Sequence, residues 1–239
     1  MIIAAFRTVL AYIAVSLYVL IVAPIGMGIA LLIGSPDVLY VLGHGGVRLA
    51  VGLAGIRVRV VGQLPTNRAA VYCANHQSNV DPPILFDVLH PRMRVLYKHE
   101  LDKIPLLPRT FRMGGFIPID RNNREAAIRS IEVGAQAIRD GQSFLIFPEG
   151  TRSRTERLLP FKKGGFIMAI RAQAPIVPVA IQGGRDAMRK GSWLIYPATI
   201  NIQVGVPIET AGYAVDDRSV LIARVRTEIE AMLGAGVKG

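Results

Sequence analysis

The longest apolar stretch of the chain lies near its start. Residues Thr8 to Gly34, TVLAYIAVSLYVLIVAPIGMGIALLIG, include no charged side chain. This stretch exceeds the roughly 20 residues that cross about 30 Å of hydrocarbon as a helix. Pro24 and Gly26 interrupt it, because proline lacks a backbone donor and its ring clashes with the preceding turn. The pattern predicts either one kinked membrane span or two shorter helices that enter one leaflet and turn back.

Beyond Gly55 the pattern changes to short apolar runs separated by helical periodicities. The runs are bounded by Gly or Pro and are rich in β-branched residues, which is typical of strands. They are RVRVVG, AVYCAN, MRVLYK, GFIPI, SFLIFPEG and PIVPVAI. Strands that alternate with helices indicate an α/β fold with a mixed, largely parallel sheet flanked by helices. We therefore predict a membrane-embedded helical segment over residues 1–55 and one α/β domain over residues 56–239.

Three segments of this domain have the apolar spacing of helices. In NNREAAIRSIEVGAQAIRDG, Asn122 is in position to cap the helix, and Glu125 follows three residues later. FKKGGFIMAIRAQ predicts a second helix, and SVLIARVRTEIEAML predicts an amphipathic third one. The apolar stripe of this third helix is Leu221, Val225, Ile229 and Met232. Sites in α/β folds gather in the loops beyond strand ends, so the polar loops that follow strands are the candidate sites.

Composition narrows the class of partner. A formal charge of +11 and a pI near 10.3 indicate an anionic partner, which could be nucleic acid, a lipid surface or a phosphorylated substrate. A mean hydropathy of +0.38 favours the lipid surface. The basic residues are dispersed and no zinc-finger or RNA-binding signature occurs, so we expect no nucleic-acid partner. A single cysteine, Cys73, excludes an intrachain disulfide and cannot by itself build a zinc site.

The first polar loop is NHQSNVD, which follows the predicted strand AVYCAN. In a strand-to-helix loop, His76 and Asp81 can converge so that the carboxylate accepts from one ring nitrogen and leaves the other free to take a proton. That is the arrangement of a general base and its orienting group. The alternative is that the polar side chains only hold a turn and cap the helix that follows. No second histidine or acidic cluster stands nearby, so we expect no metal.

The second polar loop is FPEGTRSR, directly after a predicted strand. Gly150 permits a sharp turn, Thr151 offers a hydroxyl and Arg152 brings a fixed positive charge, a combination that suits a phosphate. We expect Glu149 to hold an arginine or a substrate hydroxyl. The alternative is a charged surface loop.

Two further motifs indicate less about function when each is taken alone. GGFIPIDR ends in Arg121, which could bind a phosphate or pair with Asp120 or Glu125. IVPVAI has the pattern of a buried strand, and we assign Val177 and Pro178 mainly to the wall of a site.

The order and spacing of NHQSNVD, GGFIPIDR, FPEGTRS and IVPVAI resemble the four blocks of the glycerolipid acyltransferase superfamily, most closely the 1-acylglycerol-3-phosphate acyltransferases. The resemblance covers Ala70 to Gln182. It implies that His76 is the general base and that Asp81 orients it. It also implies that the second and third blocks bind the phosphate of the acceptor, and that the fourth contributes to acyl-donor binding or to structure. The residues implied for binding are Arg121, Glu149, Gly150, Thr151, Arg152, Val177 and Pro178. The second block departs from the commoner form, because Pro118 separates Phe116 and Ile117 from the residues that end in Arg121.

The resemblance implies transfer of a fatty acyl group from acyl-CoA or acyl-carrier protein to the sn-2 hydroxyl of 1-acylglycerol-3-phosphate, giving phosphatidic acid, with no cofactor. A cytosolic donor and the positive-inside bias of Arg7 place the protein in the cell membrane with its catalytic domain on the cytoplasmic face. We therefore favour the hairpin form of the apolar stretch. Alternatives are another lysophospholipid acceptor or a noncatalytic phospholipid-binding membrane protein. A serine hydrolase is disfavoured because the G-x-S-x-G motif is absent.

Overall fold

The computed structural model describes residues 2–64, 68–120 and 123–236. Its helices are α1 Ile2–Ile33, α2 Asp37–Ala54, α3 Asp81–Leu89, α4 Leu107–Met113, α5 Arg124–Arg139, α6 Gly164–Ala172, α7 Gly184–Ala187 and α8 Arg218–Ala235. Its strands are β1 Arg57–Val61, β2 Val71–Ala74, β3 Arg94–Lys98, β4 Ile117–Ile119, β5 Phe144–Ile146, β6 Ile176–Gln182 and β7 Thr199–Val204. Short 3₁₀ turns cover His99–Lys103 and Val215–Asp217.

Within the described residues, seven strands form one sheet in the order β1-β7-β6-β2-β5-β3-β4. β1 and β7 run parallel to each other and antiparallel to the other five, because β7 pairs with β6 in the antiparallel sense. This confirms the mixed, largely parallel sheet that the sequence predicted. β7 was not predicted, although TINIQV alternates between buried and partly exposed positions.

Each face of the sheet has its own hydrophobic layer. Successive residues of β2 alternate: Val71 and Cys73 face one layer, and Tyr72 and Ala74 face the other, as the two-residue period of a strand requires. The first layer is closed by α5, α6 and α8, and the buried stripe of α8 consists of the four residues predicted from its spacing. The second layer is closed by α2, α3 and α7. The candidate site therefore lies at one end of the strands of a sheet that is packed on both faces.

The apolar stretch at the start of the chain forms one continuous helix, α1, which passes through Pro24. The reversal that the favoured hairpin placed at Pro24 and Gly26 therefore does not occur there. Gly26 is instead a packing position, since a Cβ there would lie 2.6 Å from Cδ1 of Leu42 in α2. The chain reverses later, where Gly34 adopts φ +70° between α1 and α2.

By length and composition, α1 is able to cross a membrane. Its most apolar window has a mean hydropathy of 2.4, and only 11% of that window is buried inside the protein. A helix that is apolar on all sides and so little buried has no water-facing side. The membrane-embedded segment over residues 1–55 stays a prediction, and the next strand, β1, begins at Arg57.

Candidate active site

Two polar loops meet at the carboxyl ends of β2 and β5, which are neighbouring parallel strands. The loop over residues 75–80 joins β2 to α3, and the other begins at Phe147 directly after β5. The carboxyl ends of parallel strands are where α/β folds place their ligands. The sheet order therefore brings together NHQSNVD and FPEGTRS, which are more than 60 residues apart in the chain.

The side chains of His76 and Asp81 are in contact, as the loop predicted. Nδ1 of His76 lies 3.0 Å from Oδ2 of Asp81. The same oxygen accepts the N–H groups of Gln77 and Ser78, each at 2.7 Å. Asp81 is completely buried and is the first residue of α3, where the helix dipole favours a negative charge. An ionised Asp81 accepts Nδ1–H of His76, so the neutral imidazole carries its lone pair on Nε2.

The imidazole of His76 is held in place from a second side. Its ring centroid lies 4.2 Å from that of Phe147, with the planes tilted by 30°. The side chain is 15% exposed, and among the described residues no hydrogen bond engages Nε2. Nε2 therefore has a fixed orientation and is able to take a proton from a bound hydroxyl.

The backbone of His76 is clamped by the second loop. Its N–H donates to Oε1 of Glu149 at 2.8 Å, and its carbonyl accepts the N–H of Ser153 at 2.8 Å. Oε2 of Glu149 accepts the N–H of Leu159 at 2.8 Å. We expected Glu149 to hold an arginine or a substrate hydroxyl. Instead, backbone N–H groups occupy both of its carboxylate oxygens, and the residue is only 3% exposed.

Burial also changes the acidity of Glu149. Desolvation raises the pKa of this carboxyl above its usual value, and the hydrogen bonds from Leu159 and His76 oppose that rise. Since burial outweighs the hydrogen bonds, holding the carboxylate in this position costs some stability. The arrangement makes Glu149 a structural tie between the two loops.

A different side chain fixes the start of the first loop. Oδ1 of Asn75 accepts the N–H of Ile181 at 2.8 Å, and its Nδ2 donates to the carbonyl of the same residue at 2.9 Å. The side-chain amide of Asn75 thus pairs with β6 in the way that the backbone of a neighbouring strand would. Asn75 therefore ties the loop to β6 and does not hold a turn. The expected turn contacts are made by Asp81, whose Oδ2 accepts the N–H groups of Gln77 and Ser78 together with His76.

The FPEGTRS loop is surrounded by cations. Gly150 has φ +69°, and a Cβ there would lie 2.9 Å from Cδ of Lys162, so this lysine lies across the turn. Nζ of Lys190 donates to Oγ1 of Thr151 at 3.1 Å and to the carbonyl of Arg152 at 2.8 Å. Arg152 is half-buried, and its Nη1 has no hydrogen-bond partner among the described residues. The loop thus presents an arginine and two lysines that form no ion pair with a carboxylate in the described part of the chain.

The other predicted site residues fall elsewhere. Arg121 lies outside the described residues, as does Asn122; the N-cap of α5 is Asn123, whose side chain accepts the N–H of Ala126. Val177 and Pro178 are buried within β6, opposite Tyr72 and Cys73 of β2. Their assignment as substrate-binding residues is not supported, because residues enclosed on both faces of the sheet do not reach the loops.

Sequence reasoning missed the contribution of the segment after β6. Oγ of Ser78 donates to the carbonyl of Met188 at 2.7 Å. A Cβ at Gly184 would lie 2.2 Å from Oδ1 of Asp81, so only glycine fits against the buried carboxylate. Lys190 belongs to the same segment. Its sequence, GGRDAMRKGSW, carries no apolar periodicity, and only its glycines and basic residues hint at a site.

An apolar cavity of about 340 Å³ adjoins the first loop. Pro82 and Pro83, which directly follow Asp81, are part of its lining. The rest comes from α2, β3, α4 and the aromatic side chains of Phe86, Tyr97, Phe111 and Phe116. The volume falls within the range typical of small-molecule sites, and the lining suits a hydrocarbon chain. Among the described residues no group of three or more His, Cys, Asp or Glu side chains is placed to hold a metal ion.

Comparison with known proteins finds related sequences and a related structure. The family model described as Acyltransferase matches residues 55–182. The chain is 36% identical over 169 residues to a 1-acyl-sn-glycerol-3-phosphate acyltransferase from Limnanthes douglasii, a match that covers 70% of this chain and 60% of that protein. It is 34% identical over 162 residues to the protein of the same name from Escherichia coli strain K12, covering 67% and 65% of the two chains. The chain therefore matches less than two thirds of the length of each of these curated relatives.

A solved structure shares the whole fold. The crystal structure of the 1-acyl-sn-glycerophosphate acyltransferase PlsC from Thermotoga maritima aligns with a TM-score of 0.84 at 21% sequence identity. The alignment covers 99% of this chain and 98% of that one. The N-terminal helices and the α/β sheet thus recur together in a second protein.

Proposed function

This chain belongs to the acyltransferase family, and from that premise we propose that it moves a fatty acyl group from a thioester donor to the sn-2 hydroxyl of 1-acylglycerol-3-phosphate. The product is phosphatidic acid. One observation carries the proposal: an imidazole is bound by a buried carboxylate through Nδ1 and leaves Nε2 uncommitted, next to a loop with unpaired cations.

The chemistry needs no protein nucleophile. Nε2 of His76 removes the proton of the acceptor hydroxyl while its oxygen attacks the thioester carbonyl. Asp81 stabilises the imidazolium that forms. When the tetrahedral intermediate collapses, the carbon–sulfur bond breaks and the imidazolium returns its proton to the leaving thiolate. The products are an ester and a free thiol, and His76 ends in its starting form.

The tetrahedral intermediate also needs hydrogen-bond donors for its oxyanion. The N–H groups of His76, Gln77 and Ser78 already donate to carboxylates. The oxyanion donors therefore come from outside these three residues.

The cations around the second loop support binding of the acceptor's phosphate. Nη1 of Arg152 is buried without a protein acceptor, and a buried charged donor without a partner is costly. A phosphate oxygen would provide the missing acceptor. Lys190 holds Thr151 and the backbone of Arg152 in position, and Lys162 adds positive charge at Gly150. Arg121 is proposed for the same role on the basis of its motif.

The apolar cavity supports binding of an acyl chain. Its lining includes Pro82 and Pro83, which directly follow the buried carboxylate that orients His76. An acyl chain in this cavity would lie beside the helix that begins at the catalytic loop. Acyl-CoA and acyl-carrier protein are both proposed donors. We propose that the protein lies at the cell membrane, which the apolar α1 supports, and that the α/β domain lies on the cytoplasmic face, where it has access to cytosolic acyl donors.

The test uses detergent-purified protein with acyl-CoA and a panel of lysophospholipids. Thiol release and the diacyl product are followed together, the latter by mass spectrometry. Wild type is compared with His76→Ala and with His90→Asn, a control at the far end of α3 that keeps an acceptor for the N–H of Arg92. We expect phosphatidic acid from wild type and from the control, and a loss of at least about 100-fold in His76→Ala.

Other outcomes would correct the proposal in defined ways. A different diacyl product would change the acceptor and leave the mechanism in place. Activity with acyl-carrier protein alone would settle the donor. Equal activity in wild type and His76→Ala would reject His76 as the base, and absence of transfer from either donor would favour a noncatalytic lipid-binding protein.

A further inference from the structure

The segment from Met188 to Tyr196, MRKGSWLIY, has no role in the steps above and is called here the Trp193 segment. It runs without regular secondary structure from α7 to β7. It lies beyond residue 182, where the match to the family model ends. Its exposed aromatic residues and its contacts with α1 indicate that it has a function of its own.

The backbone of the Trp193 segment is fixed to the first turns of α1. Oγ1 of Thr8 accepts the N–H of Ile195 at 2.9 Å. The hydroxyl of Tyr12 donates to the carbonyl of Trp193 at 3.0 Å. Thr8 is completely buried by this contact. The segment is therefore held at the level of α1 residues 8–12, and whatever surrounds that part of α1 also reaches the segment.

Large aromatic side chains of the Trp193 segment and of the adjoining part of α1 are exposed. Trp193 is 56% exposed and Tyr196 is 37% exposed. In the adjoining part of α1, Phe6 is 69% exposed and Tyr12 is 43% exposed. Tryptophan and tyrosine with one apolar and one polar end are enriched at the level of lipid headgroups.

Basic residues accompany the aromatic ones. Arg185, Arg189 and Lys190 precede Trp193, and none of them forms an ion pair with a carboxylate in the described part of the chain. Cations near an anionic bilayer surface are attracted to it. Aromatic side chains flanked by cations that have no carboxylate partner match an anionic lipid surface better than they match a second protein, whose interface core would exclude unpaired charge.

The segment also reaches the proposed phosphate loop. Lys190, which donates to Thr151 and Arg152, is three residues from Trp193, so their Cα atoms are at most about 10 Å apart. A bilayer surface at Trp193 would therefore lie close to the site where the acceptor's phosphate is bound. A lysophospholipid could reach that site without leaving the headgroup layer completely.

We propose that the Trp193 segment is a second membrane contact, which seats Trp193 and Tyr196 among the headgroups of an anionic bilayer beside the first turns of α1 and holds the phosphate loop at the lipid surface. The inference rests on the proposed function, since it supplies the route of the acceptor lipid. The contact itself requires only that the chain meets a membrane.

Trp193 is the single tryptophan of the chain, so the intrinsic fluorescence of the wild-type protein tests the proposal. The full chain is reconstituted into vesicles of phosphatidylcholine and phosphatidylglycerol that contain lipids brominated at different depths. We expect at least about twofold quenching by bromines near the headgroups and weaker quenching by bromines near the chain ends, as for an interfacial tryptophan. Emission insensitive to all bromines would overturn the proposal, and so would strongest quenching at the bilayer centre.

The matched control moves the tryptophan to the opposite layer of the fold. In the double variant Trp193→Phe/Val220→Trp, the reporter stands at a position of α8 that is 63% exposed. We expect no quenching there. Equal quenching of both proteins would show nonspecific adsorption and would reject the Trp193 contact. A shift of wild-type emission that depends on protein concentration but not on bromine would identify a second copy of the chain as the occupant, and would also reject it.

Acyl transfer is measured in the same vesicles to separate the two proposals. Transfer without quenching would reject the membrane contact and leave the function standing. Quenching without transfer, from either donor, would establish the contact and count against the function.

Discussion

Oε1 of Glu149 accepts the backbone N–H of His76 at 2.8 Å, so the proposed base is tied to the proposed phosphate loop through its main chain. The N–H of Ser153 adds a second tie to the carbonyl of His76. The two halves of the site cannot move independently without breaking these bonds. The distance between the proposed proton acceptor and the proposed phosphate site is thereby fixed, which is the kind of positioning that effective catalysis requires.

Replacing Glu149 by Gln should loosen this tie. A neutral amide has a single acceptor oxygen, so one of the two backbone N–H groups would face an NH₂ donor. Leaving a buried amide unsatisfied costs about 1–3 kcal/mol. We expect a lower free energy of unfolding and a reduced kcat, measured by chemical denaturation and by the transfer assay. Glu156→Gln, at an exposed position of the same loop, is the control, and full activity in Glu149→Gln would contradict the role of the tie.

The same substitution has a predicted pH dependence. Burial raises the pKa of Glu149 in the folded protein, so the folded state binds more protons than the unfolded state above the ordinary pKa of about 4.3. The contribution of Glu149 to stability is therefore complete below that pH and is lost as the pH rises through the folded-state pKa. The difference in unfolding free energy between wild type and Glu149→Gln should be largest at low pH and should decrease as the pH rises. A difference that increases with pH would contradict this prediction.

Asp81→Asn should preserve the shape of the site and impair its chemistry. The amide oxygen of an asparagine can take the place of Oδ2, which accepts from His76, Gln77 and Ser78. A neutral asparagine no longer stabilises an imidazolium, however. We expect kcat to fall by about 10²–10⁴-fold, with little change in the KM for the acceptor. Asp140→Asn, at the end of α5 on the opposite layer, is the control. A wild-type kcat in Asp81→Asn would mean that the contact with His76 is only structural.

Arg152→Gln should weaken binding of the acceptor's phosphate. A hydrogen bond to a charged group contributes about 1.5–3 kcal/mol, which corresponds to about a 10–100-fold rise in KM for 1-acylglycerol-3-phosphate. The same variant should act on a monoacylglycerol, which lacks the phosphate, as the wild type does. Arg157→Gln, exposed on the same loop, provides the control. Equal losses with both acceptors would place Arg152 outside the phosphate site.

Val47→Phe should shorten the preferred acyl chain. Val47 of α2 lines the apolar cavity, and a larger side chain would displace the end of a bound chain. Each methylene that loses its burial costs about 0.8 kcal/mol, or about fourfold in kcat/KM. A series of acyl-CoA donors of increasing length measures the shift. Val41→Phe, on the same helix at a position 67% exposed, should leave the preference unchanged; a shift in the control but not in Val47→Phe would exclude this cavity.

Cys73 should report global unfolding. It is fully buried in β2, and burial raises the pKa of its thiol well above the usual range, with the charge of Glu149 adding to the effect. Alkylation at pH 8 should therefore be negligible in the native protein and fast in guanidinium. Mass spectrometry gives a single adduct, because Cys73 is the only cysteine. Rapid native labelling would show that the sheet opens locally.

The sequence predicted elements well where one physical rule dominated. The buried stripe of α8 followed from its spacing, and six strands followed from short runs rich in β-branched residues. The contact of His76 with Asp81 followed from a strand-to-helix loop. In each case the local pattern and the tertiary environment require the same residues.

The remaining features depend on contacts that a single sequence does not reveal. Pro24 did not end α1, which continues to Ile33 and packs Gly26 against Leu42 of α2. Two backbone N–H groups donate to the carboxylate of Glu149, and residue type does not reveal a hydrogen bond to the main chain. Lys190 reaches the site from the segment between α7 and β7, after the last recognisable motif.

The hydrogen bond between Thr8 and Ile195 joins residues 187 positions apart. At roughly 5–20 residues per second of synthesis, the first helix emerges about 10–40 s before its partner exists. During that interval the face of α1 that carries Thr8 has no partner in the α/β domain. The contact between α1 and the Trp193 segment can therefore form only after six of the seven described strands have been synthesised, which makes it a late step of assembly.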